Sequence, residues 1–133
     1  MDDQDGSEKD CIRHGEDFQL LGVHHKAIKY YEKHLKIAIE ISNRGVEGEA
    51  YRGLGNAYDS LGNYRKAIEY YEKSLKIAIE IGNRQVEEGA YRGLGNANQS
   101  LGNCRKAIMY HEKSLKIAME IGCLLYTSDA ADE

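Results

Sequence analysis

Proline and tryptophan are absent from this 133-residue chain, and phenylalanine occurs once. Without proline, no position is denied its backbone N–H, so helices must be ended by other residues. No apolar run approaches the roughly 18–20 residues that a membrane-spanning helix needs. The opening MDDQDGSEKD has no apolar stretch of the kind a secretory signal carries. Cysteine is scarce, and Cys11, Cys104 and Cys123 make neither a zinc nor a redox spacing. The expectation is a soluble, cytoplasmic chain with no metal, no cofactor and no membrane contact. Charge of one sign is also lacking. The formal net charge is −4, but the acidic excess lies in the first ten and last eleven residues, leaving about +3 between Cys11 and Gly122. Basic and acidic residues alternate in that body, which argues against nucleic acid as a partner.

What the chain has is repetition. Displaced by 40 positions, Ala50–Gly82 falls on Ala90–Gly122 and differs from it only at Tyr58, Asp59, Tyr64, Glu69, Tyr71 and Ile79. Asp17–Ile41 falls on Ala57–Ile81 more loosely, keeping Gly22, Ala27, Ile28, Tyr30, Tyr31 and the run LKIAIEI. Three copies of one unit thus cover residues 8–42, 46–82 and 86–122, behind an acidic, disordered N-terminus at 1–7. A fixed period of this size marks a solenoid of stacked supersecondary units.

Each unit reads as two helices. In 46–61 the apolar positions are Val46, Ala50, Tyr51, Leu54, Ala57, Tyr58 and Leu61, stepping by three and four. In 64–82 they are Tyr64, Ala67, Ile68, Tyr71, Leu75, Ala78 and Ile79. Gly62 supplies a C-terminal cap and Asn63 an N-cap between them. The spacing predicts six helices near 8–21, 24–42, 46–61, 64–82, 86–101 and 104–122. Glu69 with Lys73 and Glu72 with Lys76 are expected as solvated pairs four apart.

Leu54, Gly55, Tyr58, Gly62, Tyr64, Ala67 and Tyr71 resemble the tetratricopeptide repeat pattern, with Tyr51 at the usual tryptophan position. The third copy keeps Leu94, Gly95, Gly102 and Ala107, and the first keeps Gly15, Phe18, Gly22, Ala27 and Tyr31. Ser74 and Ser114 stand where a small alanine is usual. Ile79 and Met119 replace a helix-ending proline, so the second helix runs on and the unit is longer than the usual repeat. That longer unit is similar to the arrays of G-protein-signalling modulators and related animal scaffold proteins. The resemblance implies an all-α, right-handed solenoid of three antiparallel helix pairs, a protein–protein interaction module rather than an enzyme.

The resemblance also places one polar stripe on the inner, concave side. Glu49, Arg52, Asn56 and Asp59 share one face of the second unit, and Gly89, Arg92, Asn96 and Gln99 share the equivalent face of the third. Guanidinium forks suit carboxylates, and asparagine amides suit an extended main chain. The expected ligand is therefore a peptide segment of a partner, with acidic residues opposite Arg52 and Arg92. Gly55 and Gly95 are expected to let two helix backbones approach, and Gly53 and Gly93 to leave room for the ligand backbone. The same glycines exclude the two-carboxylate clamp of chaperone-binding arrays, which needs a polar side chain there.

His24 and His25 point about 100° apart on a helix and do not suggest a metal site. His111 reads as a packed substitute for tyrosine. The ending CLLYTSDAADE, 123–133, has no relation to the repeat and resembles a translated sequencing-library adapter, so it is expected to be non-native. Ile108, Leu115, Ile117, Ala118 and Met119 would then lie uncovered and favour self-association. An alternative function is the regulatory array of a larger enzyme, a protease or nucleotide-hydrolysing switch.

Overall fold

The computed structural model describes the backbone of residues 8–132 and the side chains of residues 22–123. The acidic segment 1–7 lies outside the described residues. Among the described residues five helices follow one another: α1 (Glu8–Glu40), α2 (Arg44–Ser60), α3 (Tyr64–Ile81), α4 (Arg84–Ser100) and α5 (Cys104–Asp132). Each packs on the next, and α2 also touches α4. This is an all-α solenoid, in which the first helices α2 and α4 lie side by side on one face.

Asparagine and glycine end the helices that proline does not. Asn43, Asn63 and Asn83 accept through Oδ1 from the N–H groups of Val46, Lys66 and Val86, at 3.1, 3.3 and 3.1 Å. Each satisfies a donor the first turn would leave unpaired. Gly62, Gly82 and Gly102 have φ of +85, +74 and +85°, the left-handed turn that stops the preceding helix. The far end of each helix pair is closed by an ion-pair clamp. Arg44 binds Glu47 at 3.0 Å and also Glu80; Arg84 binds Glu87 at 2.9 Å and also Glu120. The hydrogen bonds to these glutamates raise both guanidinium groups above their ordinary value.

The core is made of small residues with a few large ones. Ala50, Ala57, Ala67, Ala78, Ala90 and Ala97 are buried between helices, where a methyl lets axes approach closely. Leu54 packs with Ile28 of the first unit, and Leu94 with Ala67 and Tyr71 of the second. The expected stripe needs one change: Ile77 is buried and Ile79 exposed. Ile77 lies against Gly48, where a Cβ would come within 3.1 Å of its Cγ2. The expected Glu69–Lys73 and Glu72–Lys76 pairs do not form. Lys73 Nζ instead lies 5.5 and 5.6 Å from the rings of Tyr51 and Tyr70, which stack on each other. Lys113 repeats this over Tyr91, a cation–π contact desolvating neither partner fully.

The first unit departs from the expected helix pair. Residues 8–21 and 24–40 form one uninterrupted helix instead of two. The reason lies at the turn: Val23 stands where Asn63 and Asn103 stand in the later units. A β-branched apolar residue offers no acceptor to the next helix's first turn, so the chain continues. The face that a folded-back helix would cover is therefore open. Ile37 is 52% exposed, against 3% for Ile77 and 4% for Ile117 at the same position.

The last helix also runs on. α5 continues through Gly122 to Asp132, because Cys123 replaces the capping Asn83 of the previous junction. The side chains of 124–133 lie outside the described residues. Of the expected uncovered residues, Ile117 is buried against its own unit, whereas Ile108 and Leu115 are 57% and 60% exposed. Their counterparts Ile68 and Leu75 are covered by the core around Leu94.

Candidate functional site

The Gly-Leu-Gly of α2 and α4 sets the geometry of the inner face. Tyr71, on α3, is packed between Gly55 of its own unit and Gly93 of the next. A Cβ at Gly55 would lie 2.7 Å from the ring, and one at Gly93 would lie 2.5 Å from Tyr71 Cζ. Gly53 holds Tyr31 in the same way, and Gly95 holds His111. The glycine pair is thus a double socket, with one glycine for each neighbouring second helix. This corrects two expectations. Gly55 and Gly95 admit a ring rather than a backbone, and Gly53 and Gly93 leave no room for a ligand because an aromatic ring fills it.

The Tyr71 ring becomes the floor of a polar concavity of about 190 Å³ between α2 and α4. Arg52, Asn56, Asp59, Arg92 and Asn96 line it, together with Gly89 and Gly93. The periodicity of α2 and α4 therefore brings five of the seven expected side chains together. Glu49 and Gln99 are exposed on the same helices but do not line it. Sequence reasoning missed two contributors. Tyr71 was assigned to the core alone, yet its hydroxyl reaches the cavity and donates to Asn56 Oδ1 at 2.6 Å. Gly89 stood in the stripe without a role; a Cβ there would lie 2.8 Å from Arg52 Nη1, so its absence lets Arg52 rest against α4. The signal was available, since Gly89 replaces Glu49 in an otherwise closely similar repeat.

Charge in the concavity is uneven. Arg92 Nε is 3.6 Å from Glu88 Oε2, and that carboxylate also accepts from Ser114 Oγ at 2.8 Å. Gly48 holds the place of Glu88 in the second unit, so Arg52 has no such partner and makes no ion pair among the described residues. Burial raises the Asp59 carboxyl above its ordinary range. Burial also pushes the Tyr71 hydroxyl well up, with Asp59 adding to the effect and the two arginines opposing it. With Asn56 Oδ1 engaged by Tyr71, its amide N–H groups are left to donate into the cavity. The arrangement presents guanidinium and amide donors to an anionic or carbonyl acceptor.

Among the described residues, no group of three or more His, Cys, Asp or Glu is placed to hold a metal ion. No helix among them is long and apolar enough to cross a membrane. His111 is half-buried against Gly95, as a packed ring.

Comparison with known proteins agrees with the repeat and the fold. No curated protein matches the chain. The crystal structure of the TPR domain of Arabidopsis FLU is similar, with a TM-score of 0.71 and 23% identity over 84% of this chain and 93% of that one. At that identity the likeness bears on the fold alone. A family model for the tetratricopeptide repeat matches residues 11–80, more than half of the chain. With the fixed repeat period, the glycine sockets and the stacked helices, that match settles the family: the chain belongs to the tetratricopeptide repeat proteins.

Proposed function

We propose that the chain is a protein-interaction module whose inner face binds an acidic, extended segment of a partner protein. The observation that carries the reading is the concavity between α2 and α4, where Arg52, free of any ion pair among the described residues, lies beside Arg92 and the donors of Asn56. A carboxylate seated there would receive charge-assisted bonds from a planar fork, while asparagine amides hold main-chain carbonyls on either side. Neighbouring first helices in such arrays are roughly 10 Å apart, and extended peptide advances about 3.3 Å per residue. Acidic residues about three positions apart would therefore meet successive units. The 40-residue repeat length, similar to that of signalling scaffold arrays, supports a place within a larger signalling scaffold.

Titration of acidic peptides against variants tests this. Arg52→Glu with Arg92→Glu should weaken binding about tenfold or more while leaving helicity unchanged. The control is Lys76→Glu with Lys116→Glu, which makes the same charge change at exposed sites away from the concavity. Lys73 and Lys113 are unsuitable controls, because both lie over tyrosine rings. Equal weakening in both double variants would mean diffuse attraction by net charge, and the site would be rejected.

A further inference from the structure

The open face of α1 repeats an interface that the rest of the molecule completes. In the later units, Ile77 and Ile117 are covered by the first helix of their own unit, and Ser74 and Ser114 meet that helix through hydrogen bonds to Gly48 O and Glu88 Oε2. The corresponding positions in α1 are Ile37 and His34, both exposed. Tyr30 is exposed as well, although Tyr70 and Tyr110 at that position stack on Tyr51 and Tyr91. Residues 8–21 have the sequence of the missing cover, with Gly15 and Phe18 at the register positions of Gly55 and Tyr58. Because α1 is uninterrupted, the chain's own cover is carried away from its seat. Thirty-three helical residues extend about 50 Å.

A second copy supplies what the first has displaced. In the second unit the facing pairs are Gly55 with Tyr71, Gly48 with Ile77, and Tyr58 with Tyr70. Moved back by one period, these become 15 with 31, 8 with 37, and 18 with 30, each pair centred on residues 22–24. Two α1 helices laid antiparallel with a dyad at Gly22–Val23 would therefore satisfy every pair twice. Charge favours the same arrangement. Residues 8–21 carry four acidic and two basic side chains, and residues 24–41 carry four lysines and two glutamates. We propose that two copies exchange residues 8–21, each segment seating on the Tyr30–His34–Ile37 face of the other, to form a symmetric dimer through paired α1 helices. Exchange of identical elements needs no new interface, only the one that the other units already use.

Sedimentation of the full chain should give twice the chain mass, falling to the single-chain mass in Val23→Asn, which restores the turn and returns the segment to its own chain. Ile37→Glu should abolish the dimer, whereas Leu115→Glu, at the opposite end of the solenoid, should leave it intact. A dimer that survives Val23→Asn or Ile37→Glu, or that Leu115→Glu dissolves, overturns the proposal. Oxidation gives a second readout that does not depend on dimer strength. With Cys11, Cys104 and Cys123 replaced by serine, Glu8→Cys and His34→Cys place thiols where Gly48 and Ser74 meet. A covalent dimer on a non-reducing gel supports the exchange. An intrachain disulfide, or none, overturns it.

Discussion

The Tyr71 hydroxyl donates to Asn56 Oδ1 at 2.6 Å, so a core side chain sets the orientation of a groove side chain. Tyr71 is held from both sides by glycines of two units, and the hydroxyl emerges where α2 and α4 meet. Tyr71→Phe keeps the packing and removes the bond. Unfolding by urea should show a loss of about 0.5–1.5 kcal/mol, the usual net worth of such a bond. Peptide affinity should fall as well, because the Asn56 amide is free to turn. Unchanged affinity would mean that Asn56 is not oriented by Tyr71.

Alkaline stability follows from the same burial. Burial raises the hydroxyls of Tyr51, Tyr70, Tyr71, Tyr91 and Tyr110 above their ordinary value. The folded chain then holds these protons more tightly than the unfolded chain does. The resulting stability is fully present below about pH 10 and is lost as pH rises above that value. Urea midpoints measured across that range should fall for the native chain, and fall less steeply for Tyr71→Phe, the group raised most. Equal slopes would show that Tyr71 ionises without resisting.

The glycines divide by what surrounds them. Alanine is favoured over glycine in a helix by about 1 kcal/mol, yet at Gly93 its Cβ would meet the Tyr71 ring at 2.5 Å. Gly93→Ala should therefore destabilise by about 1–3 kcal/mol, as overpacked cores do. At Gly45 the nearest atom to a Cβ is Asn43 Oδ1 at 3.5 Å, an ordinary contact, and Gln85 already occupies that position in the third unit. Gly45→Ala should stabilise by about 0.5–1 kcal/mol. Thermal melts of the two variants should move in opposite directions.

Ser42 has φ +59°, where the next junction has Gly82 at +74°. A side chain in the left-handed region costs roughly 1–2 kcal/mol. Ser42→Gly should raise the melting temperature, and Gly82→Ser should lower it by a similar amount. No change at Ser42 would mean that its neighbours relieve the strain.

Much of this was legible from residue order. Asn63 and Gly62 announced the turn they make, and Leu54, Ala67 and Tyr71 announced the core, because capping and three-to-four spacing are local properties. The uninterrupted α1 was missed although Val23 was in view, since the repeat match elsewhere in the unit outweighed one absent cap. The role of Gly53 and Gly93 was misread for a different reason. Each glycine answers to a tyrosine of the preceding unit, Tyr31 or Tyr71, and that contact depends on how units stack rather than on either helix alone. Arg52, Asn56, Asp59, Arg92 and Asn96 converge because helical spacing repeats faithfully from one unit to the next. Glu49 lies outside the concavity, and it is Arg52 that rests against Gly89 across the junction.

The two arginines should contribute unequally to binding. Arg92 is drawn towards Glu88, with Nε 3.6 Å from Oε2, whereas Arg52 makes no ion pair among the described residues and lies against Gly89. A ligand carboxylate must compete with Glu88 for Arg92 but not for Arg52. Arg52→Ala should therefore weaken acidic-peptide binding more than Arg92→Ala. Glu88→Gln supplies the converse, because the glutamine oxygen still accepts from Ser114 Oγ, as Glu88 Oε2 does at 2.8 Å. With the competing charge removed, Arg92 turns to the ligand and affinity should rise by a few-fold, within the ~0.2–1 kcal/mol of a partly exposed pair. Calorimetric titration of one peptide against the three variants measures the order directly. Weaker binding by Glu88→Gln would show that Glu88 positions Arg92 for the ligand instead of withholding it.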